Sequence, residues 1–317
     1  ARQAFLDMDS MDIMLSSEGA ICFIRHSIDT GDEFYDAEVK FWNRFMPVIG
    51  EYIQDFNKAL SNSKFRAELA SEFSDIIFTN IELKIRSFCI ENITLMQREN
   101  DLTQEYDKLI ASAQIPYKDG VYTIAQMTPF KNDPDDSARL AAWKAEGKWY
   151  KDNQDKLDSI YDELTHLRDQ MGRNLGHENY IELGYDQMGR NCYRQEDVEK
   201  FRCAVAEYIV PVAEKIRKEQ AQRLGMQYPL SFSDMALEFR NGNPKPSGDE
   251  KSILEAGRKF YDELSPETGE FFRKMLDDEM LDVTARKGKE GGGYCEGIPA
   301  YKMPFIFANF NGTQGDV

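Results

Sequence analysis

Histidines, cysteines and closely spaced carboxylates are the side chains with which a protein binds metals and moves protons. This chain has three histidines, His26, His166 and His177, all far apart. None has a second histidine four residues away, the spacing that sets two ligands on one helical face. His177-Glu178 matches the first half of a helical zinc motif, but position 181 is Ile181 and no histidine follows. The five cysteines (Cys22, Cys89, Cys192, Cys203, Cys295) make no Cys-x-x-Cys pair and no Cys/His cluster. Their odd number and wide scatter fit free thiols in a reducing compartment. Carboxylate runs such as Asp277-Asp278-Glu279 read as a solvated helix face. The expectation is that the chain by itself holds no metal.

Other chemistries lack their signatures as well. Gly291-Gly292-Gly293 has the backbone freedom to cradle phosphate, but its neighbours form neither a Gly-x-x-x-x-Gly-Lys-Ser/Thr loop nor a Gly-x-Gly-x-x-Gly turn. No Gly-x-Ser-x-Gly elbow is present. A net charge of −17 argues against non-specific nucleic-acid and anionic-membrane partners, both of which need positive surface. The apolar content of 41% and charged content of 30% are those of a globular protein. No stretch approaches the roughly 20 apolar residues of a membrane span. The first residues have no apolar core of a signal peptide, so a cytoplasmic location is expected. The 317 residues allow two domains or one large two-lobed unit.

The elements that must position any site are mostly helices. Apolar residues at helical spacing run from residue 1 to about 30. From Asp32 they resume through Trp42, Phe45, Ile49 and Phe56, with a kink expected at Pro47 and the aromatic stripe in the core. Further helices are read over residues 65–73, 76–88 and 93–110. Asp119-Gly120 between β-branched flanks predicts a hairpin near 115–125 with a type I′ turn. Asn132-Asp133-Pro134-Asp135-Asp136 starts a helix whose apolar face continues from Leu140 to Met171. A further helix is interrupted at Pro211, where a bend or bulge is needed. Residues 228–239 read as a strand, and 251–264 and 266–280 as amphipathic helices. Residues 285–293, with Arg286, Lys287 and Lys289, form a basic glycine-rich loop. His26, near a helix end, reads as a partner of the dipole, and His166 as a polar-face residue.

After that loop, Tyr294-Cys295 begins an extended segment. Residues 305–310 (Phe-Ile-Phe-Ala-Asn-Phe) form an apolar run short enough to be a buried strand, closed by the turn Asn311-Gly312. Gly315-Asp316-Val317 reads as a helix start, with Asp316 as cap. Glycines, then Tyr-Cys, then a Pro-Phe strand closing on Asn-Phe-Asn-Gly-Thr resembles the oligoendopeptidase F branch of the thimet-type zinc metallopeptidases. Leu175-Gly176, Tyr180, Gly184-Tyr185, Met188 and Tyr193 are similar to the start of that family's catalytic region. Ile24-Arg25-His26-Ser27-Ile28-Asp29-Thr30 and Glu33-Phe34-Tyr35 resemble its N-terminal region.

The resemblance implies a mainly α fold: a multi-helical N-terminal lobe (1–190) plus the proximal part of a zincin-like catalytic lobe with a small β-sheet (191–317). It implies a zinc endopeptidase acting on short peptides in an interlobe channel. The zinc-binding His-Glu-x-x-His helix is expected just past Val317, so this chain alone is expected to be inactive and to need the missing C-terminal part of the catalytic domain as partner. No catalytic residue is assigned within the chain. An added peptide strand would lie along residues 307–311, with Gly292 and Gly293 allowing close approach and Tyr294, Asn309 and Asn311 orienting it. For Asn309 and Asn311 a turn role stands equally open, and residues 305–310 also read as an ordinary core strand. The rival function is a non-enzymatic helical module that binds peptides or partner helices.

Overall fold

The computed structural model describes residues 1–316. The chain opens with α1 (Arg2–Ile28) and α2 (Glu33–Ser61), separated where Asp32 turns its carboxylate onto the free amides of Phe34 and Tyr35, at 2.9 and 3.1 Å. Next come α3 (Arg66–Phe73), α4 (Asp75–Arg86) and α5 (Ile93–Ala111). A hairpin follows, β1 (Ile115–Tyr117) with β2 (Gly120–Tyr122), and then α6 (Ile124–Lys131). α7 (Asp136–Asp152), α8 (Gln154–Asn174), α9 (Ile181–Gln187) and α10 (Gln195–Ala204) lead into a π-helical turn, Val205–Ile209, and α11 (Val210–Leu224). α12 (Glu250–Leu264) and α13 (Pro266–Asp277) precede β3 (Leu281–Thr284), β4 (Tyr294–Ile298) and β5 (Met303–Phe310).

The mainly α architecture with a small sheet is the one expected, and several details differ for local reasons. α2 runs through Pro47 without a break in the helix, and its stripe is only partly core: Trp42 is buried while Phe34, Phe41 and Tyr52 are exposed. The hairpin turns one residue early, on Lys118-Asp119, with Lys118 taking the positive φ of 50° and Gly120 already paired with Tyr117. The long helix expected from residue 136 divides at Asn153, whose side-chain amide donates to the Trp149 carbonyl at 2.9 Å and closes the last turn of α7. The π turn lies just ahead of Pro211, which has no N–H to give, so the expected bulge is there. Residues 228–239 fold as turns and bends, not as a strand. Asp316 accepts from the amides of Asn311 (3.0 and 3.1 Å) and Gly312 (2.6 Å), so it caps the turn after β5. Val317 lies outside the described residues.

The chain packs as two compact units and passes between them several times. One unit comprises Ala1–Ile13, Ala37–Tyr106 and Asp155–Tyr208. Its core joins Leu60, Leu69, Phe78 and Ile81, with Phe5, Phe56 and Phe73 packed around them. Arg86 grips Asp186 with two 2.7 Å hydrogen bonds, the bidentate geometry a guanidinium makes with a carboxylate.

The other unit comprises Met14–Asp36, Asp107–Gln154 and Ile209–Val317. It holds both sheets. One core cluster, Ile115, Met127 and Ala142, sits under the hairpin. A second joins Ile24 of α1 to Ile298, Phe305 and Phe307. The three-stranded sheet has the order β3-β5-β4, with β5 parallel to β3 and antiparallel to β4.

Candidate functional site

The sheet and the glycine-rich loop before β4 gather all five candidate residues, Gly292, Gly293, Tyr294, Asn309 and Asn311. β5 is the middle strand: Ile306 and Phe307 pair with both β3 and β4, while beyond Phe307 the register gives a partner on β3 alone, at Phe310. Phe307, the first residue of the stretch expected to receive a peptide, therefore lies inside the sheet. A long apolar run favours the centre of a sheet, where both faces are covered.

β3 and β4 are the edge strands, and β4 is the more exposed of the two. Gly297 pairs with Pro304, which has no amide hydrogen, so this is a pair without mutual hydrogen bonds. By alternation Cys295 is the other such position, and its partner Ile306 sends its N–H to the Met280 carbonyl instead, at 2.9 Å. The backbone groups of Cys295 and Gly297 therefore point away from β5. Both residues are exposed, and a Cβ built on Gly297 meets nothing within 4 Å.

Inside this edge the candidate residues support the strand. The Tyr294 ring stacks on Phe307 with centroids 4.7 Å apart and planes 3° from parallel. Its hydroxyl shares a 2.5 Å hydrogen bond with Ser27, and burial together with the nearby Glu290 charge pushes it up to about 12 despite that bond. A Cβ on Gly293 would meet the Phe307 carbonyl oxygen at 3.1 Å, so the close approach glycine allows here is to β5. Gly292 has φ +81° and open space around it. The Asn309 amide donates to the carbonyls of Glu290 (2.9 Å) and Gly292 (2.8 Å), tying the loop to β5. Asn311 takes the turn role: its side-chain oxygen accepts from the Thr313 amide and hydroxyl at 3.2 and 2.7 Å, and its amide reaches Ala125 O at 3.3 Å.

The burial of two basic side chains nearby, Lys289 and His26, escaped the sequence reading. Lys289 is buried, and its ammonium donates to the Asp282 carboxylate (2.6 Å) and to the carbonyls of Asp282 (3.0 Å), Thr284 (3.2 Å) and Ala308 (2.5 Å). Burial pulls this ammonium below the usual lysine range, opposed by the Asp282 hydrogen bond. Asp282 also takes two hydrogen bonds from Arg286; against burial, these and the Lys289 contact hold its carboxyl below the ordinary range. His26 is buried too, between Glu290 (Nδ1, 3.4 Å) and Asp36 (Nε2, 3.6 Å), and is not merely a partner of the helix dipole. A pattern of charge alone does not reveal either, because their partners come from other parts of the chain.

The remaining histidines stand elsewhere. His166 is exposed on α8, and His177 pairs with Glu182 at 2.8 Å. Among the described residues no group of three His, Cys, Asp or Glu side chains is placed to hold a metal. No helix among the described residues is long and apolar enough to cross a membrane.

Residues 1–88 match the Peptidase M3 N-terminal domain. Three solved structures match almost the whole chain. PZ peptidase A, solved with an inhibitor, is 42% identical with a TM-score of 0.97, over 99% of this chain and 56% of its own. A chain described as an oligoendopeptidase F from Bacillus anthracis str. Ames is 41% identical with a TM-score of 0.97, over 99% and 58%. Another described as oligoendopeptidase F is 42% identical with a TM-score of 0.96, over 99% and 56%. No curated protein matches the chain. The chain thus spans a little over half the length of these structures. In sequence and in fold it belongs to the M3 peptidase family, in its oligoendopeptidase F branch.

Proposed function

We propose that this chain is the peptide-receiving part of a zinc-dependent oligoendopeptidase, and that β4 is the strand against which a short peptide is laid. The observation that carries this reading is the outward-facing backbone of Cys295 and Gly297 on an exposed edge, in a chain similar along 99% of its length to oligoendopeptidase F structures. An extended peptide would add to that edge by main-chain hydrogen bonds, which hold many sequences alike. Gly297, with no side chain, lets a second backbone come close. Tyr294, stacked on Phe307 and bonded to Ser27, fixes the start of the strand, and Asn309 fixes the loop before it.

Zinc, when bound in such an enzyme, supplies polarisation of the scissile carbonyl and activation of water. No group of three His, Cys, Asp or Glu side chains among the described residues is placed to hold it, so no hydrolytic step is assigned to this chain. The part of the relatives' length that it does not span is its proposed partner, residues 191–317 are the proposed share of the catalytic region, and a cytoplasmic location remains part of the proposal.

The test is a titration of the isotope-labelled chain with a short unstructured peptide, followed by backbone amide shifts. Shifts concentrated at Cys295 and Gly297, and lost in Gly297→Pro, are expected. Shifts that avoid β4, or that persist unchanged in Gly297→Pro, would overturn the edge assignment.

A further inference from the structure

His26 is held between two carboxylates. Its side chain is 4% exposed, with Nδ1 3.4 Å from a Glu290 oxygen and Nε2 3.6 Å from an Asp36 oxygen. A neutral imidazole has one N–H and one lone pair. With a carboxylate on each side, that lone pair would face a carboxylate oxygen in a buried place. The geometry is satisfied only when the group holds one more proton, on the ring or on a carboxyl beside it.

The charged groups around it come from three further elements. Asp36 lies at the start of α2 and takes a 2.6 Å hydrogen bond from Lys108 on α5. Asp107, next to it on α5, lies within the fields of Glu290 and His26; burial, then the Glu290 charge, pushes its carboxyl up to about 6. Glu290 belongs to the loop before β4, and Tyr294 follows on β4 itself. Counting His26 as neutral, three carboxyl groups face a single lysine.

The cluster sits on the seam between α1 and that loop. Thr30 donates to Gly288 O through its amide and its hydroxyl, both at 2.8 Å, and the Glu290 amide donates to Ser27 O at 2.9 Å. Tyr294 closes the seam through Ser27. We propose that His26 is a proton-dependent positioning residue: with the extra proton its ring clamps Glu290, and with it residues 288–294 and the start of β4, onto α1. Without the proton, the Glu290 contact is the one that yields, because Lys108 retains Asp36. The importance of this for peptide binding rests on β4 being the docking edge; the clamp itself does not.

The experiment needs no peptide, so its outcome is independent of what β4 binds. The chain is labelled at histidine ring carbons and backbone amides, and shifts are followed from about pH 5 to about pH 8. The His166→Gln and His177→Gln variants identify the His26 signal by elimination, leaving the cluster intact. We expect the His26 ring and the amides of Gly288, Gly292 and Tyr294 to move with a common midpoint. In Glu290→Gln the loop amides should lose that response. Loop amides that stay constant across the range, or that follow the same curve in Glu290→Gln, would overturn the clamp. Should Glu290→Gln fail to fold, the shared midpoint in the otherwise unaltered protein still decides.

Discussion

Lys289 and Asp282 form a 2.6 Å ion pair in which the Lys289 side chain has no exposure to solvent. The ammonium also reaches the carbonyls of Thr284, at the end of β3, and Ala308, within β5, and lies 4.4 Å from the centre of the Phe307 ring. It thereby joins the two parallel strands that no hairpin connects.

Replacing Lys289 by Met keeps the stem and removes the charge. Asp282 keeps Arg286, but the Thr284 and Ala308 carbonyls lose a donor in a buried place. Breaking a buried pair from one side costs about 3–5 kcal/mol, and the retained Arg286 contact argues for the lower end. Urea unfolding of Lys289→Met should show a loss of about 3 kcal/mol. A loss below about 1 kcal/mol would mean that the pair behaves as a surface bridge.

Asp107 gives a pH dependence with a definite sign. Its folded carboxyl is raised to about 6 from an ordinary 3.8, first by burial and then by Glu290. The folded state therefore binds more protons than the unfolded state between those values. Its contribution to stability is present below the ordinary value and falls as pH rises through about 6. Asp107→Asn removes the burial of that charge. Thermal melts should place the variant above the parent at pH 8 by about 1–3 kcal/mol and level with it near pH 4. An equal offset at both pH values would show that the gain has nothing to do with titration.

The parts of the fold that were legible in the sequence are those fixed locally. Asp32 caps α2, and Asp135 accepts from the Ala138 amide at 2.7 Å to start α7, because a cap needs only the next few residues. The apolar run of β5 announced a strand for the same reason. Its central place did not show, since Leu281–Thr284 is four residues long and pairs in parallel across the intervening loop and β4. Lys289 lay in what reads as a basic glycine-rich loop, and only Asp282 and Ala308, brought together by the sheet, make it a buried cross-link. His26 was misread in the same way, because Glu290 becomes its neighbour only after folding. At the candidate site Tyr294 and the glycines were named from their types and spacing. Cys295 and Gly297 were missed, since which backbone groups face outward depends on register.

α12 carries a further expectation. It is an amphipathic helix with no buried residue, and Phe260 and Leu264 on it are 61% and 60% exposed. Exposed apolar side chains add little to the stability of the isolated chain but favour association. Phe260→Ser with Leu264→Ser should change unfolding free energy by less than about 0.5 kcal/mol per site. Light scattering should show less self-association at high concentration. A large loss of stability would show that these rings are packed within the chain in solution.

Asn309 separates a tether from a residue that contacts ligand. Its amide N–H groups go to the Glu290 and Gly292 carbonyls, so both donors are engaged within the protein. Asn309→Ala removes the tether and should cost about 1–3 kcal/mol, the penalty of leaving such groups unsatisfied. Asn309→Asp keeps the shape but turns an acceptor oxygen toward those two carbonyls, so at pH 7 it should be less stable than Asn309→Ala. Lowering the pH toward about 4, near the ordinary range for an aspartate, returns one donor to the side chain. The gap between the two variants should then narrow, with denaturant unfolding as the measure. A residue that acted only by touching peptide would leave both variants as stable as the parent at every pH. If Asn309→Asp proves more stable than Asn309→Ala at pH 7, the loop is not held through these hydrogen bonds.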